Sequence, residues 1–234
     1  MSDRPTALVT GASKGIGRST VRRLAATHHV VAVARSADEL DTLAAEVRQA
    51  GGTCDALALD VADAAAVEQT LAGRAVDVLV NNAGVGVLKP LLELEPEEWR
   101  RMIDVNVNAL YHVTRAVLPG MVARGRGHVV IVGSIAGRSA FAGGACYAAT
   151  KSFVNGFAES LMLEVRDAGV KVSVVSPGSV DTHFNGKTPN PARPGGRLDP
   201  DDVAAAVAAV VATPPEVLLH AVEVRILSPN RPRH

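Results

Sequence analysis

Short apolar runs alternate along the chain with longer stretches in which apolar residues recur every three or four positions. ALVT (7–10), VVAVA (30–34), ALAL (56–59), VDVLV (76–80), HVVIVG (128–133) and VKVSVVS (170–176) read as strands. Several lack the every-second-residue pattern of a half-solvated strand, which suits strands covered on both faces of a parallel sheet. Segments near 15–27, 37–50, 63–72, 97–118 and 147–168 read as helices. In the last of these, Phe153, Phe157 and Leu161 line one side, with Val154, Ala158 and Val165 beside them. Strand–helix alternation with short connections predicts an α/β fold with a doubly wound parallel sheet.

With 234 residues, 47% of them hydrophobic, the chain buries one substantial core, so residues 1–234 are expected to form a single domain. A stretch rich in proline and glycine, GKTPNPARPGGRLDP (186–200), precedes an alanine-rich helix. A substrate lid over 183–200 and a plain surface excursion are both open readings, because long loops in compact domains are often functional. The end, RPRH, reads as a solvated tail.

Charge removes some partners from consideration. Lysine plus arginine equals aspartate plus glutamate at 24 each, so no global field draws in nucleic acid or an anionic membrane. Cys54 and Cys146 stand far apart, outside any CxxC or Cys/His spacing, and fit reduced thiols in the cytoplasm. The start, MSDRPTALVT, is strand-like without an apolar signal region, and no run of 18 apolar residues occurs. With no HExxH or His/Cys cluster, catalysis is expected to need no metal.

Candidate chemistry begins directly after the first strand, in TGASKGIG (10–17), with Gly11, Gly15 and Gly17. A tight glycine turn opening a helix lets the backbone approach a diphosphate at the helix N-terminus. The spacing is GxxxGxG, and a simple tight turn would also satisfy it. Lys14 sharpens the reading, since a cation beside the positive end of a helix asks for a nearby anion. At the end of the second strand stand Ala34 and Arg35, where an NAD site usually carries an acidic residue for the ribose 2′-hydroxyl. Arginine instead suits a 2′-phosphate through charge-assisted bonds, so Lys14 and Arg35 together point to NADP(H). Further along, YAATK (147–151) sets a tyrosine and a lysine four residues apart, on one face of a helix.

These motifs, taken in order, resemble the short-chain dehydrogenase/reductase superfamily in its single-domain branch, over nearly the whole chain. The resemblance rests on TGASKGIG, the Asp60-Val61 pair, NNAG (81–84), DVN (104–106), Ser134, YAATK and PGSVDT (177–182). Each motif is weak alone, and seven in order are specific. The resemblance implies a Rossmann-type fold and an NADP(H)-dependent oxidoreductase acting on a carbonyl/alcohol pair. Tyr147 is then the general acid or base; Lys151, together with the positive nicotinamide in the oxidised complex, supplies part of the lowering of its pKa, and Lys151 also holds the nicotinamide ribose. Ser134 would bind the substrate oxygen, and Asn106 would position a water behind Lys151. Asp60 and Val61 would contact adenine, while Asn81, Ala83 and Gly84 would line its ribose. Val180 and Thr182 would hold the carboxamide and diphosphate; Ser13, Ile16, Pro177 and Gly178 complete the expected cofactor contacts.

Other residues carry weaker assignments. Tyr111, whose i+4 partner is Arg115, reads as structural, Asn108 points to another face than Asn106, and His183 reads as a loop histidine. Val85 to Leu88, Ala136, Phe141, His183 and Phe184 are expected to form a mostly apolar substrate pocket, with Arg138 and Lys89 at its margin. That pocket suits an uncharged ketone or secondary alcohol. The final segment, HAVEVRILSPNRPRH, lacks the DGG-like turn of many 3-oxoacyl-carrier-protein reductases, which favours a general carbonyl reductase over a 3-oxoacyl-thioester reductase. A non-catalytic NADP(H) sensor or scaffold would tolerate loss of Tyr147 or Lys151, and this chain has both. A nucleotide-sugar epimerase would usually be longer. Relatives pair the helices near 97–118 and 147–168, so a homodimer or homotetramer is expected.

Overall fold

An apolar run such as Ala7-Leu8-Val9 has no polar face to leave in water, so its strand must be covered on both sides. The computed structural model, which describes residues 4–186, 188–189 and 196–228, supplies both covers. Its strands are β1 (Thr6–Thr10), β2 (His29–Ala34), β3 (Thr53–Ala58), β4 (Val78–Asn81), β5 (Gly127–Val132), β6 (Val170–Pro177) and β7 (Ala221–Val224). They form one sheet in the order β3-β2-β1-β4-β5-β6-β7, with every pairing parallel. The helices are α1 (Gly15–Leu24), α2 (Ala37–Gln49), α3 (Ala64–Leu71), α4 (Pro96–Ile103), α5 (Ala109–Ala123), α6 (Ala145–Val165) and α7 (Pro200–Val211).

Leu8 enters the core shared with Val113 and Val117 of α5 and Val154 and Leu161 of α6. Its neighbours Ala7 and Val9 enter the opposite core, with Val21 of α1, Leu43 of α2 and Val207 of α7. Burial of each such Val or Leu side chain stabilises the fold by roughly 1.5–3 kcal/mol. The doubly wound sheet read from the apolar runs is therefore the observed one.

Boundaries shifted where local pattern and tertiary packing disagree. β3 begins at Thr53, ahead of the expected ALAL, because it is an edge strand and carries polar residues; Asp55 pairs with His29 at 3.0 Å. The helix expected to stop near 118 continues through Pro119 to Ala123, where fully buried Met121 anchors its last turn. Between α4 and α5 the chain does not break. It makes a π-helical turn over Asp104–Asn108, a widening that occurs frequently at functional sites. α7 starts on a capping box between Asp199 and Asp202, with Pro200 in the first helical position.

The loop read as a lid lies partly outside the described residues. Its two ends are tied together by a Val180–Leu198 bridge and an Asp181–Arg197 ion pair of 3.4 Å. The final RPRH also lies outside the described residues. Strand order reverses between β1 and β4, and this switch point opens a crevice at the carboxyl ends of the strands.

Candidate active site

A cleft of about 770 Å³ occupies that crevice. Its first wall is the glycine turn after β1. Gly11 (φ +64°) and Gly15 (φ +51°) adopt left-handed backbone that side chains disfavour. Gly17 meets a different demand, because a Cβ there would collide with the Gly11 carbonyl and the Asn82 amide. Asn82 knits this turn to the loop after β4, donating to the carbonyls of Thr10 at 2.9 Å and Gly11 at 3.2 Å. Thr10 Oγ1 in return accepts the backbone N–H groups of Asn82 and Ala83, each at 3.0 Å. The α1 N-terminus thus faces a cradle of bare backbone, which fits the diphosphate of a dinucleotide.

Of the expected cofactor residues, Gly11, Ser13, Lys14, Gly15, Ile16 and Arg35 line the cleft. Asp60, Val61, Ala83 and Gly84 line it from the neighbouring strand ends, and Pro177, Gly178, Val180 and Thr182 from the end of β6. Gly17 and Asn81 do not. Gly17 shapes the turn from behind. Asn81 is buried, and its amide donates to Thr114 at 3.0 Å, away from the cleft. Its unassigned neighbour Asn82 takes the lining position.

Ser134, Tyr147 and Lys151 meet on the opposite wall. Ser134 lies two residues beyond the end of β5 and caps a short turn over Ile135–Gly137, accepting the Ala136 N–H at 3.1 Å. Gly137 presses that turn onto α6, since a Cβ there would strike the Lys151 carbonyl. Ser152 and Asn155 of α6 both donate to the Gly137 carbonyl, at 3.0 and 3.2 Å. One helix thereby fixes all three side chains, with Tyr147 and Lys151 one turn apart.

Burial governs the electrostatics of this wall. Lys151 Nζ donates to the Val132 carbonyl at 3.0 Å, and burial lowers its pKa to about 8. Tyr147 moves the opposite way from the sequence-based expectation. Burial is the largest influence and raises its pKa, while a hydrogen bond with Ser134 works against that shift. In the free protein the Lys151 ammonium points at a backbone carbonyl. In the free protein Tyr147 is a protonated phenol, a proton donor held ready.

Asn106, expected to position a water behind Lys151, has its side chain bonded to neighbouring protein groups. Its Oδ1 accepts the Val85 N–H at 2.8 Å, and its Nδ2 donates to the Val85 carbonyl at 2.8 Å and to Thr150 Oγ1 at 3.1 Å. Thr150 in turn donates to the Tyr147 carbonyl at 2.8 Å. The π turn thus buckles the loop after β4 to α6. Asn106 also bounds a small cavity of about 20 Å³ that Asn81 and Lys151 share.

Beside Ser134 and Tyr147 the cleft is lined by Val85, Leu88, Ala136, Phe141, His183 and Phe184, while Gly86 and Val87 of the expected run do not line it. Arg138 and Lys89 stand away, paired with Glu223 at 3.6 Å and Glu98 at 2.7 Å. The Phe184 ring lies 5.2 Å from that of Tyr147 and fills the space a side chain at Gly86 would need. Sequence reading assigned no role to Thr10, Asn82, Gly137 or Thr150. Thr10, Asn82 and Thr150 sit inside quoted motifs, whereas only the three-dimensional packing singles out Gly137.

A glycine-cradled dinucleotide site at the switch point of a doubly wound sheet, facing a serine, a half-buried tyrosine and a buried lysine, defines a class: enzymes that move a hydride and a proton. Comparison with known proteins narrows it. The family profile of the short chain dehydrogenases matches residues 5–192. The chain is 38% identical to the NADP-dependent 3-hydroxy acid dehydrogenase YdfG of Salmonella typhi, with 92% of each chain covered. It is 36% identical to the 3-oxoacyl-[acyl-carrier-protein] reductase FabG of Vibrio harveyi, covering 86% of this chain and 87% of that one. A solved alcohol dehydrogenase from the archaeon Thermococcus sibiricus, complexed with 5-hydroxy-NADP, superposes with a TM-score of 0.90 at 32% identity. That match covers 99% of this chain and 100% of the other. This chain belongs to the short-chain dehydrogenase family and is an oxidoreductase.

Proposed function

We propose that the protein interconverts a carbonyl compound and a secondary alcohol using NADP(H), with Tyr147 as the proton donor to the carbonyl oxygen. The observation that carries this reading is the convergence of Ser134, Tyr147 and Lys151 on one wall of the cleft that the glycine turn also lines. The cofactor is NADP(H): the YdfG relative is NADP-dependent, and Lys14 and Arg35 both line the adenosine end, where a 2′-phosphate asks for cations. Bound there, NADP(H) supplies hydride to the carbonyl carbon or accepts it in the reverse direction.

The side chains do the rest. Ser134 donates a hydrogen bond to the substrate oxygen and fixes it beside the phenol. Tyr147, kept protonated by burial, transfers its proton as negative charge develops on that oxygen. Lys151 stabilises the resulting phenolate by charge and holds the nicotinamide ribose. The cavity behind Lys151 has room for about one water, a route by which the proton is replaced. Asn106 and Asn81 form its polar walls. The apolar lining at the substrate end suits an uncharged or weakly polar carbonyl. 3-Hydroxy acids and 3-oxoacyl thioesters, the substrate classes in the names of the relatives, belong in the same panel of candidates. Two buried, unpaired cysteines, Cys54 and Cys146, support a cytoplasmic setting, and no helix among the described residues is long and apolar enough to cross a membrane. Exposed Tyr111 on α5 and exposed Phe153 and Leu163 on α6 support a homo-oligomer.

The test is Tyr147→Phe on a substrate found in that panel. Single-turnover hydride transfer should fall by about a hundred- to ten-thousandfold, the usual contribution of a positioned acid. NADPH affinity should stay within about twofold. A near wild-type single-turnover rate would overturn the assignment.

A further inference from the structure

The anion that Lys14 calls for is already built into the chain. Lys14 precedes α1 in extended conformation, and the first turn of α1 holds no acidic residue to balance it. The ammonium instead lies 2.6 Å from a carboxylate oxygen of Glu39, in the first turn of α2. Ser36 and Glu39 have the spacing of a capping box, yet Ser36 makes no side-chain cap bond and Glu39 reaches across to α1. Lys14 chiefly, with help from Ser13, holds the Glu39 carboxyl below its ordinary range. Lys14, Arg35 and Glu39 line the same end of the cleft. Exposed Arg35 makes no hydrogen bond or ion pair among the described residues.

We propose that Glu39 is a specificity-determining residue that competes with the 2′-phosphate of NADP(H) for Lys14. This rests on the reading that Lys14 and Arg35 receive that phosphate. A phosphate carrying nearly two negative charges cannot take Lys14 without breaking or crowding its ion pair with Glu39, because like charges a few ångströms apart repel. NAD(H), which lacks the phosphate, leaves the pair intact. Glu39 therefore penalises NADP(H) selectively and narrows its margin over NAD(H). In the free protein the same carboxylate supplies the charge that an ammonium at a helix N-terminus needs. One residue thus sets both the resting state of the phosphate pocket and the strength with which it discriminates.

Dissociation constants for NADPH and NADH, measured by fluorescence titration, test this in wild type, Glu39→Gln, Lys14→Ala and the double variant. Glu39→Gln should tighten NADPH by about three- to tenfold and change NADH by less than about twofold. In the Lys14→Ala background the Glu39→Gln gain should largely vanish. Should Lys14→Ala leave NADPH affinity unchanged, the phosphate-pocket reading falls, and this proposal with it. Should Lys14→Ala weaken NADPH while Glu39→Gln leaves it unchanged or weaker, the pocket stands and the competition is refuted.

Discussion

Thr150 offers the sharpest check on how the active site is held. It is 1% exposed, donates to the Tyr147 carbonyl at 2.8 Å and accepts from Asn106 Nδ2 at 3.1 Å. Thr150→Val keeps the shape and removes only the hydroxyl. The Asn106 amide would then keep its bond to Val85 and lose its second acceptor in a buried place. One unsatisfied buried donor costs about 1–3 kcal/mol. The Tyr147 carbonyl loses an extra bond as well, a smaller term because α6 still surrounds it. For a chain of this length each kcal/mol is worth about 2–4 °C in melting temperature, so the variant should melt about 2–12 °C lower. Circular dichroism melts at matched concentration read this directly, with Thr150→Ser as the control that restores the hydroxyl. A Thr150→Val melt within one degree of wild type would refute the claim that this bond buttresses the π turn.

Two further outcomes follow from features already described. For carbonyl reduction, kcat/KM should hold steady below pH 8 and fall above it, as Lys151 loses the proton that burial makes easier to lose. The limb should be missing from the residual activity of Lys151→Met; its persistence at the same midpoint would assign it to another group. Light scattering at micromolar concentration should report a dimer or tetramer, and a monomer would remove the support drawn from exposed Tyr111, Phe153 and Leu163.

The parallel sheet was legible because strands covered on both faces must be apolar throughout, as Ala7-Leu8-Val9 and Val129-Val130-Ile131 are. β3 was harder to bound, since an edge strand admits residues such as Asp55 that local pattern excludes. Tyr147 and Lys151 stood out as candidates because the chemistry demands a phenol and an ammonium one turn apart. The direction of the Tyr147 shift could not, because desolvation depends on what packs around the ring, and spacing does not report it. Lys14 carries a similar lesson. The reasoning that it needs an anion was sound, but only the fold shows that Glu39, 25 positions later in the chain, is near enough to provide one.

The pairing of β1 with β4 has a consequence for how the molecule comes into being. Ala7 lies beside Val78 and Val9 beside Val80, so the two strands that flank the crevice are separated by about a third of the chain. As synthesis proceeds, β1 can pair with β2 early, while its other edge waits for β4 to emerge. Contacts of such long sequence separation form slowly. Until they form, an apolar strand edge stands open to any other unpaired strand. The glycine turn waits as well, because Asn82 and Ala83, which clasp Thr10 and Gly11, follow β4 directly. Dinucleotide binding is therefore a property acquired late in folding. A dinucleotide that binds only the finished cleft would draw the last stage of folding forward by mass action.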